Sequence, residues 1–257
     1  MTNGAAPLVS VITPTYQRHS LLPLIWRCVS SQALADIEWL VLDDSPSPSS
    51  FMQSLSDPRV RYEHRPQKLP IGTKRNLLIE RARGEIVAQF DDDDYYAENY
   101  LSGMVAALRE RNADFVKLFG FFLFSKFHSL LGYWDTTVTT GPHFQWTNGP
   151  IRTGFLDERT RGNLKGVHLG FGFSYVFKKK VWQASPFPDL DWDEDGAFAR
   201  KALERFNLVG LDDRERTCLH ILHVTNTSQC FPQYVVPAFL TDTLFPRARE
   251  HLAAGLR

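Results

Sequence analysis

Apolar residues fall in two patterns along this chain: short continuous runs, and runs spaced for one helical face. In the first half the two alternate. "LVSVIT" (Leu8–Thr13) is a β-branched run closed by Pro14, which predicts a buried strand. In "HSLLPLIWRCVSSQ", Leu22, Ile25, Trp26 and Val29 share a helical face, Ser20 offers an N-cap and Pro23 fits a first turn. "EWLVLD" (Glu38–Asp43) is a second buried strand, stopped by "DDSPSPSS", and "VRYEH" (Val60–His64) is a third. "GTKRNLLIERA" (Gly72–Ala82) has a helical period through Leu78 and Ala82, and Gly84 stands where a left-handed C-cap glycine would. "EIVAQF" (Glu85–Phe90) is the fourth strand. Strands alternating with helices at these intervals predict an α/β fold with a doubly wound, mostly parallel sheet.

The second half is less regular. "DFVKLFGFFLF" reads as two strands around Gly120, and residues 132–170 read as loops over a site. "GFSYVFKKKVW" (Gly172–Trp182) reads as strand then turn, and "LHILHV" (Leu219–Val224) as a late strand. "DEDGAFARKALERF" (Asp193–Phe206) is an amphipathic helix with Phe198, Ala202 and Phe206 on one face. No repeat, low-complexity tract or linker interrupts the 257 residues, so one domain is expected. Within it, 8–110 would form a nucleotide-binding half, 111–230 an acceptor and catalytic half, and 231–257 a helical tail.

Lys+Arg and Asp+Glu both total 29, which excludes a general attraction to nucleic acid. Cys28, Cys218 and Cys230 are scattered without metal-ligand or disulfide spacing. Together with an N-terminus that lacks a signal-peptide pattern, they point to the reducing cytoplasm. The most apolar stretch, 115–134, is broken by Lys117, Lys126 and His128, so core strands are expected there rather than a membrane span. Its aromatic content keeps peripheral membrane contact open.

The unusual chemistry is in "VAQFDDDDYYAEN", where four consecutive acids follow an apolar strand. In open α/β sheets ligands bind beyond the carboxyl ends of the strands. Three strands here end in Thr13-Pro14-Thr15-Tyr16, Asp43-Asp44 and Asp91–Asp94, an aromatic face and a set of carboxylates for one sheet edge. Adjacent carboxylates repel unless a cation sits among them, and hard oxygen ligands suit Mg²⁺ or Mn²⁺ beside a diphosphate. The plain alternative is a solvated acidic turn. A second acid patch, "PDLDWDEDG" (Pro188–Gly196), opens a helix. Asp193 is placed to cap it, and Glu194 and Asp195 lie in its first turn, where the helix dipole favours anions.

"VSVITPTYQR", "EWLVLDDS", "GTKRN…ARGEIVAQFDDDDYY" and "DWDEDGAFARKAL" resemble, in order and spacing, the motifs of family-2 glycosyltransferases with the GT-A fold. The resemblance covers about Leu8 to Phe206. It implies a Rossmann-like nucleotide half beside an acceptor half, and metal-dependent transfer from a nucleotide sugar with inversion at the anomeric carbon. Position by position, it implies that Tyr16, with Pro14 and Thr15, lies against the base. Asp43 would accept from uracil N3–H, which favours a UDP-sugar, and Asp44 would be a turn former or brace. Arg75, or else Lys74, would face the nucleotide. Asp91-Asp92-Asp93 overlies the DxD signature, with Asp93 on the metal, Asp92 near the ribose and Asp91 supporting. Asp94 would share that load or cap the next helix. Asp195 is then the general base, and Glu194 orients the sugar or braces the loop. His223 is a further metal-ligand candidate, the alternative being a strand histidine satisfied by backbone. "LGFGFS" (Leu169–Ser174) would line the donor sugar or form a bulge. The acceptor class is a glycan, a lipid-linked molecule or a protein.

Other classes fit less well. A metal-dependent nucleotidyltransferase would carry a glycine-rich basic loop after its first strand, and "PTYQRHSLLP" has no glycine. A diphosphate site of the isoprenoid type needs acids on facing helices, which the strand before Asp91 contradicts. An inactive sugar- or nucleotide-binding module is the remaining alternative.

Overall fold

The computed structural model describes residues 6–147, 149–223 and 229–254. In chain order the elements are β1 (Val9–Thr15), α1 (Leu22–Ser30), β2 (Ile37–Asp43), α2 (Ser50–Ser54), β3 (Val60–His64), α3 (Ile71–Arg81), β4 (Ile86–Gln89), β5 (Tyr95–Tyr96), α4 (Tyr100–Glu110) and β6 (Phe115–Ser125). There follow β7 (Leu130–Asp135), β8 (Gly141–Gln145), β9 (Arg152–Leu156), β10 (Val176–Lys178), α5 (Lys179–Ala184), α6 (Glu194–Leu203), β11 (Leu208–Asp212), β12 (Cys218–Leu222), β13 (Tyr234–Val236), α7 (Thr241–Leu244) and α8 (Arg249–Ala253). The chain divides into two compact units. The first is Met1–Asp92, Glu98–Lys117 and Leu169–Val209; the second is Asp93–Ala97, Leu118–His168 and Gly210–Arg257.

The first unit is an α/β fold on a mixed, mostly parallel sheet. Its strand order is β3-β2-β1-β4-β10-β6, with β10 antiparallel to both neighbours. β1 and β2 are buried along their whole length, as continuous apolar strands between helices should be. The chain runs outward from β1 to β3 and then returns to β4 on the other side of β1. At such a reversal the loops diverge and leave a crevice at the strands' carboxyl ends. The β1–β4 pairing stops at Ile12–Gln89, while β1 continues along β2 to Thr15. Pro14 therefore costs no ladder bond on the β4 side. Beneath the sheet Phe187 and Phe198 stack at 4.0 Å, and Phe115, Tyr175 and Phe177 close around them. Each such ring contributes roughly 1.5–3 kcal/mol by leaving water.

In the second unit the later part of β6 pairs antiparallel with β7 and parallel with β12, β13 adds to β7, and β5 adds to β12. β8 and β9 form a separate hairpin.

Several local expectations are corrected. Ser20 does not cap α1: Leu21 holds that position without a side-chain bond, because a turn through Arg18 and His19 already takes the Leu21 and Leu22 N–H groups. Gly84 is not left-handed. It is a close-approach residue, where a Cβ would lie 2.7 Å from Ser10 N. Gly120 does not divide Phe115–Ser125, since hydrogen-bonded partners carry one strand through it opposite Asp135. Residues 132–170 hold strands as well as loops. The exposed β9 has no apolar face to announce it. The C-terminal stretch contains β13 before its short helices. Asp94 does not cap α4, whose N-cap is Asn99. Val224 lies outside the described residues.

Two glycine-to-alanine changes should separate close approach from helix propensity. Gly84→Ala pushes a methyl into the Ser10 backbone and should cost about 1–3 kcal/mol. Gly103 lies on the exposed face of α4, where an added Cβ would meet no described residue beyond its own helix within 4 Å, so Gly103→Ala should stabilise by about 0.5–1 kcal/mol. Urea unfolding of both variants reads the opposite signs, and equal effects would refute the assignment.

Candidate active site

The carboxyl ends of β1, β2 and β4 carry the predicted nucleotide residues of the first unit. Beyond Pro14, Thr15 Oγ1 donates to Asp92 Oδ2 at 2.5 Å, and Arg18 Nη1 donates to Asp92 Oδ1 at 2.9 Å. Asp92 is thus buried and engaged at both oxygens. Tyr16 is half-buried, with Lys68 Nζ 5.0 Å from its ring centroid. Asp43 is fully buried at the end of β2. Its Oδ1 accepts from Ser45 N at 3.0 Å, and its Oδ2 accepts from Tyr62 Oη at 2.6 Å and lies 2.9 Å from His19 Nε2. Burial opposes ionisation of Asp43, but the hydrogen bonds from Ser45 and Tyr62, with His19 beside them, outweigh it and hold the carboxyl below its usual range.

The two candidate basic residues of α3 have different partners. Lys74 Nζ donates to Asp44 Oδ1 at 2.8 Å and to Thr15 O at 3.3 Å, and Asp44 also accepts from Leu69 N. That pair braces the strand ends. Arg75 reaches both acid patches: Nη1 pairs with Glu194 Oε1, and Nη2 lies 3.6 Å from Asp91 Oδ1. Its guanidinium lies over Phe187 at 5.6 Å and is almost wholly buried, and its Nε has no hydrogen-bond partner among the described residues.

Glu194 and Asp195 open α6 but differ in surroundings. Glu194 is buried, and burial raises its carboxyl above the usual range, with Arg75 pulling back and Asp195 adding to the rise. Asp195 is half-buried. Gly172 N donates to its Oδ2 at 2.7 Å, and Gly196 N donates to its Oδ1 at 2.6 Å. Gly172 permits this: a Cβ there would lie 3.0 Å from Asp195 Cβ and 3.0 Å from Gln89 Oε1. Asp193 holds the N-cap position in a left-handed conformation (φ 60°), with no side-chain cap. Its carboxylate pairs with Arg200 instead.

The chain passes from the first unit to the second between Asp92 and Asp93. In the second unit Asp93 Oδ2 lies 2.8 Å from His223 Nε2, so the histidine is held by a carboxylate rather than by backbone alone. Both oxygens of Asp94 lie 3.0 Å from His220 Nδ1, and Oδ1 also accepts from Ile221 N at 2.8 Å. Burial disfavours the His220 imidazolium, yet the Asp94 carboxylate outweighs it and raises His220 well above its ordinary value. Along the run itself, Asp91, Asp93 and Asp94 each offer a carboxylate oxygen, all within 4.8 Å of one another. Asp92, turned to Thr15 and Arg18, is outside that set. Two residues escaped the sequence reading: His220, and Lys117 of β6, which is fully buried. The available signal for Lys117 was a lysine inside a strand apolar on both sides.

Among the described residues no helix is long and apolar enough to cross a membrane. The doubly wound sheet, with acids at its strand ends, has the architecture of the GT-A fold. The glycosyl transferase family 2 model matches residues 10–157, more than half of the chain, and the chain belongs to that family of sugar-transferring enzymes. A GalNAc(5)-diNAcBac-PP-undecaprenol beta-1,3-glucosyltransferase of Campylobacter jejuni is 35% identical over 127 residues, covering 47% of this chain and 40% of that protein. The chain spans less than half the length of curated relatives such as this one. Among solved structures, S. aureus TarS 1-349 in complex with UDP-GlcNAc gives a TM-score of 0.58 at 19% identity, covering 84% of this chain and 58% of that one. The mannosyltransferase PcManGT from Pyrobaculum calidifontis, in complex with GDP-Man and Mn²⁺, gives 0.57 at 17% identity, covering 87% and 59%.

Arg75 pairs with Glu194 and lies 3.6 Å from Asp91. Arg75→Met should therefore cost about 3–5 kcal/mol in urea unfolding, the usual result of orphaning a buried charge. Adding Glu194→Gln to that variant should recover part of the loss. A double variant no more stable than Arg75→Met alone would show that the pair is not coupled.

Proposed function

We propose that this chain transfers a sugar from a nucleotide diphosphate sugar, with a UDP-sugar as the preferred donor, to an acceptor hydroxyl with inversion at C1. The observation that carries the reading is Arg75, which ties Asp91 at the end of β4 to Glu194 at the start of α6. A leaving-group site and a proton-accepting site thereby share one guanidinium. The nucleotide falls to the first unit. Tyr16, flanked by Pro14 and Thr15, offers a ring face to the base. Asp43 accepts from N3–H in place of His19, its half-exposed partner. Asp92, fixed by Thr15 and Arg18, holds the turn beside the ribose.

Asp91, Asp93 and Asp94 form an oxygen donor set that fits Mg²⁺ or Mn²⁺, with His223 at hand beside Asp93. Asp94 is the least available of the three because both its oxygens face His220. A divalent ion held there supplies positive charge for the departing diphosphate.

Asp195 takes the proton of the acceptor hydroxyl as that oxygen bonds to C1 and the C1–diphosphate bond breaks. Two backbone N–H groups fix its carboxylate, and each oxygen keeps a second lone pair. Glu194, spent on Arg75, braces the loop. The Campylobacter relative is named for a PP-undecaprenol-linked glycan, so a lipid-linked glycan is the acceptor class we favour, reached by peripheral contact with a membrane.

Asp93→Ala should weaken UDP binding and remove its dependence on Mn²⁺ in calorimetry. Wild-type binding that is equal in EDTA and Mn²⁺ would refute the metal assignment. Asp195→Asn should fold and bind UDP like the wild type, yet lose about 10²–10⁴-fold in kcat, because an amide cannot accept the proton. Glu194→Gln should be milder. An active, stable Asp195→Asn enzyme would move the base elsewhere in the second acid patch.

A further inference from the structure

We infer that Lys117, deep in β6, is a positioning residue for Asp195: it clamps the Leu169–Gly172 turn whose Gly172 N–H orients that carboxylate. The inference rests on the reading of Asp195 as the base.

The clamp is built from two buried donors. Lys117 Nζ donates to Gly170 O, and Tyr175 Oη donates to Leu169 O, so two successive carbonyls of the turn are held. Both side chains are fully buried, and the ammonium lies 5.5 Å from the Tyr175 ring centroid. Tyr175 N closes the turn onto Gly172 O at 3.0 Å. Between the held carbonyls and Gly172 stands Phe171, left-handed at φ 63°, a conformation a phenylalanine keeps only when its surroundings impose it. The next N–H is the one that reaches Asp195 Oδ2 at 2.7 Å. Released at Gly170, the turn can relax toward ordinary backbone angles and carry the Gly172 N–H with it.

A charged donor suits the task, since a hydrogen bond from an ammonium is roughly twice as strong as a neutral one. The cost is desolvation. Burial pushes the Lys117 amine down to about 7, with the Asp195 charge pulling it back up. Tyr175, whose ring the ammonium faces, has Asp195, Arg75, Glu194 and Asp193 as its own charged surroundings, and the strands flanking β6 carry Lys178 and Asp212. Lys117 is charged below that value and neutral above it. The clamp, and turnover with it, should weaken as pH rises through about 7.

The test follows UDP release from UDP-GlcNAc, with water as acceptor, across pH 5.5–9 (about the range a carboxylate and this lysine require). Lys117→Met should lose about 10–100-fold in kcat, the usual cost of a misplaced catalytic group, with donor KM unchanged and the alkaline fall absent. Lys117→Gln keeps an N–H for Gly170 without the charge. It should hold an intermediate kcat, also without the alkaline fall, and it serves if the methionine variant does not fold. Wild-type kcat and alkaline fall retained in both variants, while Asp195→Asn is inactive, would overturn the inference and leave the base assignment standing. A rise in donor KM in proportion to the loss would also overturn it, since the turn would then serve donor binding. If Asp195→Asn is active, it is the base reading that fails. The lysine's own titration is read separately: an amine depressed from 10.5 to about 7 penalises folding below pH 7 and ceases to do so toward 10.5. Wild-type melting temperature should therefore gain on that of Lys117→Met across this window, and parallel curves would contradict the titration.

Discussion

Four carboxylates cannot stand in a row at the end of a buried strand unless each has its own answer to the repulsion. This constraint organises much of the chain. Asp91 faces Arg75, Asp92 takes Thr15 and Arg18, Asp93 lies against His223, and Asp94 is held by His220. The partners come from α3, from the end of β1 and from the neighbourhood of β12. These contacts differ from one acid to the next. The run is therefore a distributor that sends neighbouring residues to different tasks. Asp92 and Asp93 lie in a turn beyond β4, where Asp92 is directed to Thr15 and Arg18 while Asp91, Asp93 and Asp94 keep carboxylate oxygens within 4.8 Å of one another.

The sheet order makes the acids useful. Because β1 lies between β2 and β4, the reversal of chain direction opens at the carboxyl ends of β1 and β4. Thr15, Tyr16 and Asp91 sit at those ends, with Asp43 at the end of adjacent β2. An order that ran in one direction only would cover the same ends with crossovers. The buried ion pairs Lys74–Asp44 and Arg75–Glu194 are weak evidence of stability, since desolvating two charges costs about as much as their attraction returns. Their value here is geometric, in fixing where strand ends and helix starts meet.

What could be read from the sequence was what local pattern encodes. The strands of the first unit, the start of α6 and the acid run after β4 all announce themselves through burial period or charge. What could not be read was set by partners distant in sequence. Nothing around Gly84 reveals that Ser10 presses against it. Nothing in "FVKLFG" says that Lys117 meets the carbonyl of Gly170. Ser20 has the chemistry of a cap, but the preceding turn had already taken the N–H groups it would have served. β9 was missed for the opposite reason: an exposed strand buries too little to leave a period. Among the site residues, spacing found the acids, and only the three-dimensional neighbours separate their duties.

That separation is clearest at the start of α6, where two adjacent carboxylates share one helix dipole. The dipole alone favours both equally, within roughly 0.3–1 kcal/mol. Their surroundings break the tie. Glu194 turns inward and spends its carboxylate on a buried guanidinium, away from an acceptor hydroxyl. Asp195 turns to two backbone N–H groups and stays half-exposed. Backbone donors do not titrate and, once the turn that bears them is fixed, do not move. A base oriented by such donors is no more reliable than the turn itself. This makes the hold on Gly170 and the left-handed Phe171 part of the same machinery as the carboxylate they serve.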